Sequence, residues 1–238
     1  AKILRDMIRQ TVYAVSENTA KPIYTGSLYE IEDGVFKIIA IDGYRMAIRS
    51  ENVDSESKNR FVVPGKTQHE VLKLLTDDEE NTEIIIGQRH ITFKIKNYRI
   101  ISRLIEGTFI EYKSAIPKET KTEVVINTRT IIDAVERMSL LNNDRIQSPV
   151  RCIFSDDEIK LSCTSAVGRA NDVISVPIIG ESVEIGFNNR YLLDALKNAD
   201  TDEIKLILNG SLTAMIVKPV KGDSYLSIVV PMRLANEN

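Results

Sequence analysis

An antiparallel α+β architecture made of two repeated domains follows from three observations on the 238-residue sequence. The halves resemble each other at a spacing of about 122 residues, the mark of an internal repeat. In each half, alternating apolar and polar runs are joined by tight-turn signals, as in hairpins. Only two amphipathic helices interrupt those runs, so the strands pair antiparallel rather than through parallel crossovers.

The elements come in the same order in both halves. Each opens with a helix, predicted over 2–16 and 128–141; in the first, Ile3, Leu4, Met7, Ile8, Val12 and Val15 share one face and Lys2, Arg5 and Arg9 the other. Hairpins follow. Asp33-Gly34 separates Tyr29–Ile31 from Phe36–Ile39, and Asp156-Asp157 separates Arg151–Phe154 from Ile159–Leu161. Second helices are predicted over 66–75 and 189–198, each led in by an apolar strand, and three more strands close each half. Asn209-Gly210, between Leu206–Leu208 and Leu212–Ala214, predicts a type I′ hairpin and not a glycosylation site. The charged, proline-marked run Pro117–Lys121 is the natural linker, giving domains 1–117 and 118–238. The acidic stretches Asp77–Glu80 and Asp54–Lys58 are expected as solvated loop tips.

Composition excludes several classes. With 43% hydrophobic and 27% charged residues, the chain can bury a core in each domain, so disorder and collagen are out. Runs such as Ile84–Ile86 fall far short of the roughly 18 residues that cross a bilayer, and no leader opens the sequence. Cys152 and Cys163 are expected as buried, reduced thiols in neighbouring strands. The first residue is Ala rather than Met, which predicts a cut at a domain boundary of a longer protein.

Catalytic patterns fail on inspection. Gly65-Lys66-Thr67 resembles the end of a phosphate-binding loop, but Arg60 stands where that motif needs glycine. Ser55-Glu56-Ser57-Lys58 imitates a Ser-x-x-Lys nucleophile in a polar loop without the partner motifs. His69 and His90 have no cluster at metal-ligand spacing. No active site, metal or cofactor is expected.

Two features do stand out. The net charge is -3, yet the four helical spans sum to +4 and the remainder to -7, so positive charge rides on the helices. Any nucleic-acid contact there would be to backbone and indifferent to sequence. The run Tyr225–Leu234 stays apolar almost to the terminus: either it is an inner strand, as its first half suggests, or its last residues line a surface groove, where Met232 suits an adaptable site.

At this point five segments resemble one family in order: Ala40-Ile41-Asp42-Gly43-Tyr44-Arg45-Met46-Ala47; Val63-Pro64-Gly65-Lys66; Ser102–Phe109; Ile185-Gly186-Phe187-Asn188 with Tyr191–Asp194; and Val230-Pro231-Met232-Arg233-Leu234. The chain is similar to the bacterial sliding clamp, the beta subunit of DNA polymerase III, over its whole length. A family member has three such domains, so the resemblance implies the second and third. It further implies a non-catalytic, cytoplasmic bacterial scaffold. Two full-length subunits would close a homodimeric ring around duplex DNA, sheets outside and helices lining the hole, and the present piece alone would be monomeric or only weakly self-associating. The replicative DNA polymerase, the clamp loader and repair proteins would dock through short Leu/Phe peptides, and no membrane is involved. A peptide-binding adaptor that never embraces DNA is the competing reading.

Carried over by position, the resemblance implies a peptide groove built from Tyr24, Ile41, Gly43, Tyr44, Arg45 and Met46, with Ile110 and Ala115 near the linker. From the second half it takes Asn188, Tyr191, Ile228, Val229, Val230, Pro231, Met232 and Arg233, with Arg45 and Arg233 fixing the peptide at the rim. Facing DNA would be Arg5, Arg9, Lys66, Lys73, Arg137, Arg190 and Lys197. Departures from the family pattern are Ile41 for Thr, Ile110 for Pro, Ser114 where Arg can occur, and the extension Ala235–Asn238.

Overall fold

The computed structural model describes residues 1–76, 81–142 and 148–234; the acidic run Asp77–Glu80 and the extension Ala235–Asn238 lie outside them. The chain forms two compact units, Ala1–Glu111 and Tyr112–Asn238.

Unit 1 runs α1 (Lys2–Val12), β1 (Gly26–Glu32), β2 (Val35–Ile41), β3 (Arg45–Asn52), β4 (Asn59–Pro64), α2 (Gly65–Leu74), β5 (Glu83–Ile86), β6 (His90–Ile95) and β7 (Tyr98–Arg103). Its antiparallel ladders are β3-β2-β1-β4 and β5-β6-β7. The register pairs Glu32 with Val35 across Asp33 and Gly34, both in the left-handed region at φ 52° and 72°, the type I′ turn expected there. Leu4, Met7, Ile8 and Val12 of α1 pack on Tyr29, Ile38 and Val63 of one sheet and Ile91, Phe93 and Ile95 of the other. Gln68 pins α2 to the sheet, donating through Nε2 to Ser27 Oγ and the Val63 carbonyl, both at 3.0 Å.

Two expectations for α1 need correction. It stops at Val12 rather than continuing to 16, because Ala14 and Val15 donate to Thr11 and Val12 in tight three-residue turns while Thr11 Oγ1 donates back to the Met7 carbonyl at 2.7 Å. Ile3, assigned to the apolar face, is 60% exposed, although Leu4 beside it is buried in the core.

Unit 2 runs β8 (Thr122–Asn127), α3 (Thr128–Ser139), β9 (Val150–Ser155), β10 (Glu158–Ser165), β11 (Gly168–Ser175), β12 (Ile178–Gly180), β13 (Val183–Phe187), α4 (Asn189–Lys197), β14 (Glu203–Leu208), β15 (Met215–Pro219) and β16 (Tyr225–Val229). Strand β8 therefore precedes α3, where the sequence suggested that this half begins with the helix. Its ladders are β12-β8-β14-β15-β16 and β11-β10-β9-β13, all antiparallel. One core joins α3 and α4 to both sheets through Ile131, Val135, Phe154, Phe187, Leu192, Leu196, Leu206 and Tyr225. Cys152 and Cys163 are free and buried in β9 and β10, and burial pushes the Cys152 thiol up to about 12.

Turns decide the connections. Asp156 and Asp157 both adopt left-handed φ, 53° and 56°, and Asp157 Oδ1 accepts from Ile178 N at 2.9 Å, tying the β9–β10 turn to β12. The expected two-residue turn at Asn209-Gly210 is absent. A longer loop spans 209–214, because Asn209 Oδ1 instead accepts from Lys121 N at 3.0 Å. At Gly180 (φ 115°) the Lys121 carbonyl oxygen lies 1.9 Å from where a Cβ would stand.

Candidate peptide-docking and DNA-facing surfaces

The proposed groove residues of unit 1 centre on the β2–β3 tip. Asp42 folds the turn: its Oδ1 accepts from Tyr44 N at 2.8 Å and Arg45 N at 3.0 Å, and Gly43 takes φ 94°. Oδ2 of the same carboxylate accepts from Arg45 Nε at 3.0 Å, and the guanidinium stands 5.4 Å over the Tyr13 ring. The tip is thus held rigid and pushes Tyr44 into solvent, 60% exposed. Arg45, expected at the rim, is only 6% exposed and committed to Asp42. Ile41 pairs across the ladder with Met46, which is buried. Tyr24 packs edge-on against Phe109 at 5.7 Å; Ile110 is exposed, and so is Ala115 in the short helical turn Tyr112–Ala115 of unit 2.

In unit 2 the corresponding residues cluster around the entry to α4. Asn188 caps that helix, accepting from Arg190 N at 3.0 Å and Tyr191 N at 3.3 Å. The chain beyond β16 folds back on β13: Met232 N donates to the Gly186 carbonyl at 2.8 Å. Leu234 lies across Gly186 so closely that a Cβ there would stand 2.6 Å from Leu234 Cδ2. Ile228 and Val229 are core residues with no surface to offer, whereas Val230, Pro231, Met232 and Arg233 are at least partly exposed. Beside this tail lies a cleft of about 690 Å³ lined by Lys121, Arg151, Glu184, Leu212, Met232 and Arg233 among others, which the sequence did not reveal.

Of the candidate DNA-facing cations, Lys66 and Arg190 are exposed and Arg5 is half-buried. Acidic side chains stand beside several of the seven. Arg9 lies 3.7 Å from Asp6, Lys73 donates to Glu70 at 2.8 Å, Arg137 Nε to Asp172 at 2.8 Å, and Lys197 stands 2.6 Å from Glu136. Hydrogen bonding by Lys197 holds the Glu136 carboxyl below its usual range, as Lys73 does for Glu70. No group of three or more metal-ligating side chains occurs among the described residues. No helix is long and apolar enough to cross a membrane.

Residues 1–111 match the family model of the DNA polymerase III beta subunit central domain, and residues 113–233 that of its C-terminal domain. The chain belongs to the DNA polymerase III beta subunit family. It is 33% identical to the beta sliding clamp of Halalkalibacterium halodurans over 98% of this chain and 63% of that protein. With the beta sliding clamp of Bacillus subtilis it shares 31% over 97% of this chain and 62% of the relative. Among solved structures, the DNA polymerase sliding clamp from Bacillus subtilis superposes with a TM-score of 0.94 at 31% identity, covering 98% of this chain and 62% of that one. A beta subunit from Eubacterium rectale gives 0.93 at 29%, covering 97% and 63%. The chain therefore spans a little under two thirds of these family members, and its fold is theirs: two repeated clamp domains with antiparallel sheets and four helices.

Proposed function

We propose that this chain works as the central and C-terminal domains of a bacterial, cytoplasmic DNA sliding clamp. It acts as a non-catalytic scaffold that tethers the replicative DNA polymerase to duplex DNA by encircling it. The observation that carries the reading is the unbroken match of both domains, in order, to the two beta-subunit family models. The cationic helix faces supply a sequence-indifferent surface for phosphate. At least four of the candidate cations, Arg9, Lys73, Arg137 and Lys197, already stand beside acidic partners, which favours loose contact over tight binding. For ring closure, unit 2 offers the outer edge of β11, where Val173 is exposed, with exposed Val167 in the turn that leads into it. Leu/Phe peptides of the polymerase, clamp loader and repair proteins would dock on the β2–β3 tip of unit 1 and on the Met232 segment of unit 2, and Pro117–Lys121 would serve as the linker.

Topology supplies the test. Full-length protein assembled on nicked circular DNA should stay bound through a high-salt wash and be lost once the circle is cut. A peptide-binding adaptor would associate equally with both forms, or with neither. Equal retention on circular and linear DNA would remove the clamp reading.

A further inference from the structure

The sequence holds a single Asn-Gly pair, Asn209-Gly210, and the structure leaves it in the irregular loop after β14 rather than in a tight hairpin. Asn209 stands across from the start of β8, at the end of the ladder where Leu208 pairs with Thr122. Its two amide atoms have different surroundings. Oδ1 accepts from Lys121 N at 3.0 Å, whereas Nδ2 is buried with no hydrogen-bond partner among the described residues. The next backbone nitrogen, that of Gly210, also donates to no group among the described residues. Gly210 takes φ 109°, and beyond its chain neighbours no atom lies within 4 Å of the place a Cβ would occupy.

These features bear on one reaction. The side-chain carbonyl carbon of an asparagine can be attacked by the backbone nitrogen of the following residue, which closes a cyclic imide. Glycine in that position favours the attack, since it has no Cβ to crowd the nitrogen and reaches backbone angles closed to other residues. The Lys121 N–H sits where negative charge would grow on Oδ1, the arrangement by which a backbone donor stabilises a tetrahedral oxyanion. Formation of the bond from Gly210 N to Asn209 Cγ is matched by departure of Nδ2 as ammonia, which carries off the proton that Gly210 N gives up. Water then opens the imide at either carbonyl and leaves aspartate or isoaspartate.

We propose that Asn209 is a self-modification site of the folded chain, and that its isoaspartate product releases the β14–β15 loop from β8. In isoaspartate the former side-chain Cβ and Cγ belong to the main chain, so the loop lengthens and the acceptor that held Lys121 N is displaced. Lys121 N then keeps only its longer bond to the Leu208 carbonyl, at 3.2 Å. Aspartate, by contrast, leaves an acceptor in place and adds a negative charge beside Gly210, which lines the same cleft as Lys121 and Arg233. The reaction lies within unit 2 and does not depend on the clamp reading.

The folded 238-residue chain is held in mildly alkaline buffer, sampled over time and mapped by peptide mass spectrometry with electron-transfer fragmentation, which separates isoaspartate from aspartate. Asn209 should convert while Asn97, an exposed turn residue followed by Tyr98, stays intact. Asn209→Gln, whose cyclisation needs a larger ring, should stay unmodified. In the isoaspartate fraction the Lys121 amide should exchange with solvent up to about tenfold faster than in the parent chain, the worth of one hydrogen bond. In Asn209→Asp, which changes the charge but not the backbone, it should keep the parent rate. Conversion in the urea-unfolded chain with none in the folded one overturns the proposal, and so does conversion no faster than at Asn97. A Lys121 amide that keeps the parent rate in the isoaspartate fraction, or that exchanges as fast in Asn209→Asp, overturns the release of the loop.

Discussion

In unit 1 the chain leaving β7 lays Ile105 against Val62 of β4; in unit 2 the chain leaving β16 lays Met232 against Gly186 of β13. The two bridges are equivalent under the repeat, since Val62 and Gly186 each stand two residues before the N-cap of the second helix, Pro64 and Asn188. The backbone device is kept while its chemistry changes. Arg60 on β4 pairs with Glu30 at 3.8 Å, whereas Glu184 at the equivalent position pairs with Arg151 at 3.1 Å, reversing the sign. Hairpin tips show the same division. Asp42 Oδ1 accepts from the N–H two residues on, as Ser165 Oγ does from Val167 N, but only Asp42 also holds a buried guanidinium. Repetition has thus preserved what backbone geometry requires and left side chains to diverge where they meet solvent or a partner.

The largest expected difference lies at those tips. Asp42→Ala removes the carboxylate that bonds the Arg45 guanidinium and the Tyr44 and Arg45 amides, and should cost about 2–4 kcal/mol in chemical denaturation, whereas Ser165→Ala should cost under about 1 kcal/mol. Similar losses for both would mean that the Asp42–Arg45 pair is no more than a surface contact. Next comes the bridge. Gly186→Val places new atoms against Leu234 and within 3.0 Å of the Met232 carbonyl oxygen, so the tail must lift. The expected loss is about 1–3 kcal/mol, with the Met232 amide exchanging freely. Protection of that amide at the level of the parent chain would show that the fold-back does not depend on glycine. The smallest effect separates the helix caps. Asn188→Ala should lower stability by about 0.5–2 kcal/mol and fray the start of α4. Pro64→Ala should change helix α2 less, because Pro64 makes no side-chain cap bond; equal thermal shifts would contradict that ordering.

Much of the fold was legible because it rests on local rules. Asp33-Gly34 and Asp156-Asp157 sit where left-handed backbone is needed, and the 3.6-residue apolar period placed all four helices. What failed was decided by distant partners. Asn209 was read as a turn former, but its side chain serves the backbone of Lys121, 88 positions earlier. Ile3 keeps helical phase with the buried residues yet is left exposed, which depends on what the rest of the chain packs beside it. For the candidate sites, motif resemblance located Asp42–Met46 and Val230–Arg233, while the burial of Arg45, Ile228 and Val229 required the packed structure. The ion partners of Lys197 and Arg137 could not be read at all, since Glu136 and Asp172 belong to other elements.

Gly180 sets a boundary on how far this sequence can drift. Most tight positions tolerate change because a neighbouring side chain can swing aside, but here the obstacle is the Lys121 backbone carbonyl, on the strand edge that β12 pairs with. A side chain of any size would have to part β12 from β8, removing the three-residue ladder that Ile178–Gly180 contributes. In a saturation library covering every position, this site should return glycine alone, while Gly210 and Gly222, with open space around them, limit replacements only through backbone conformation.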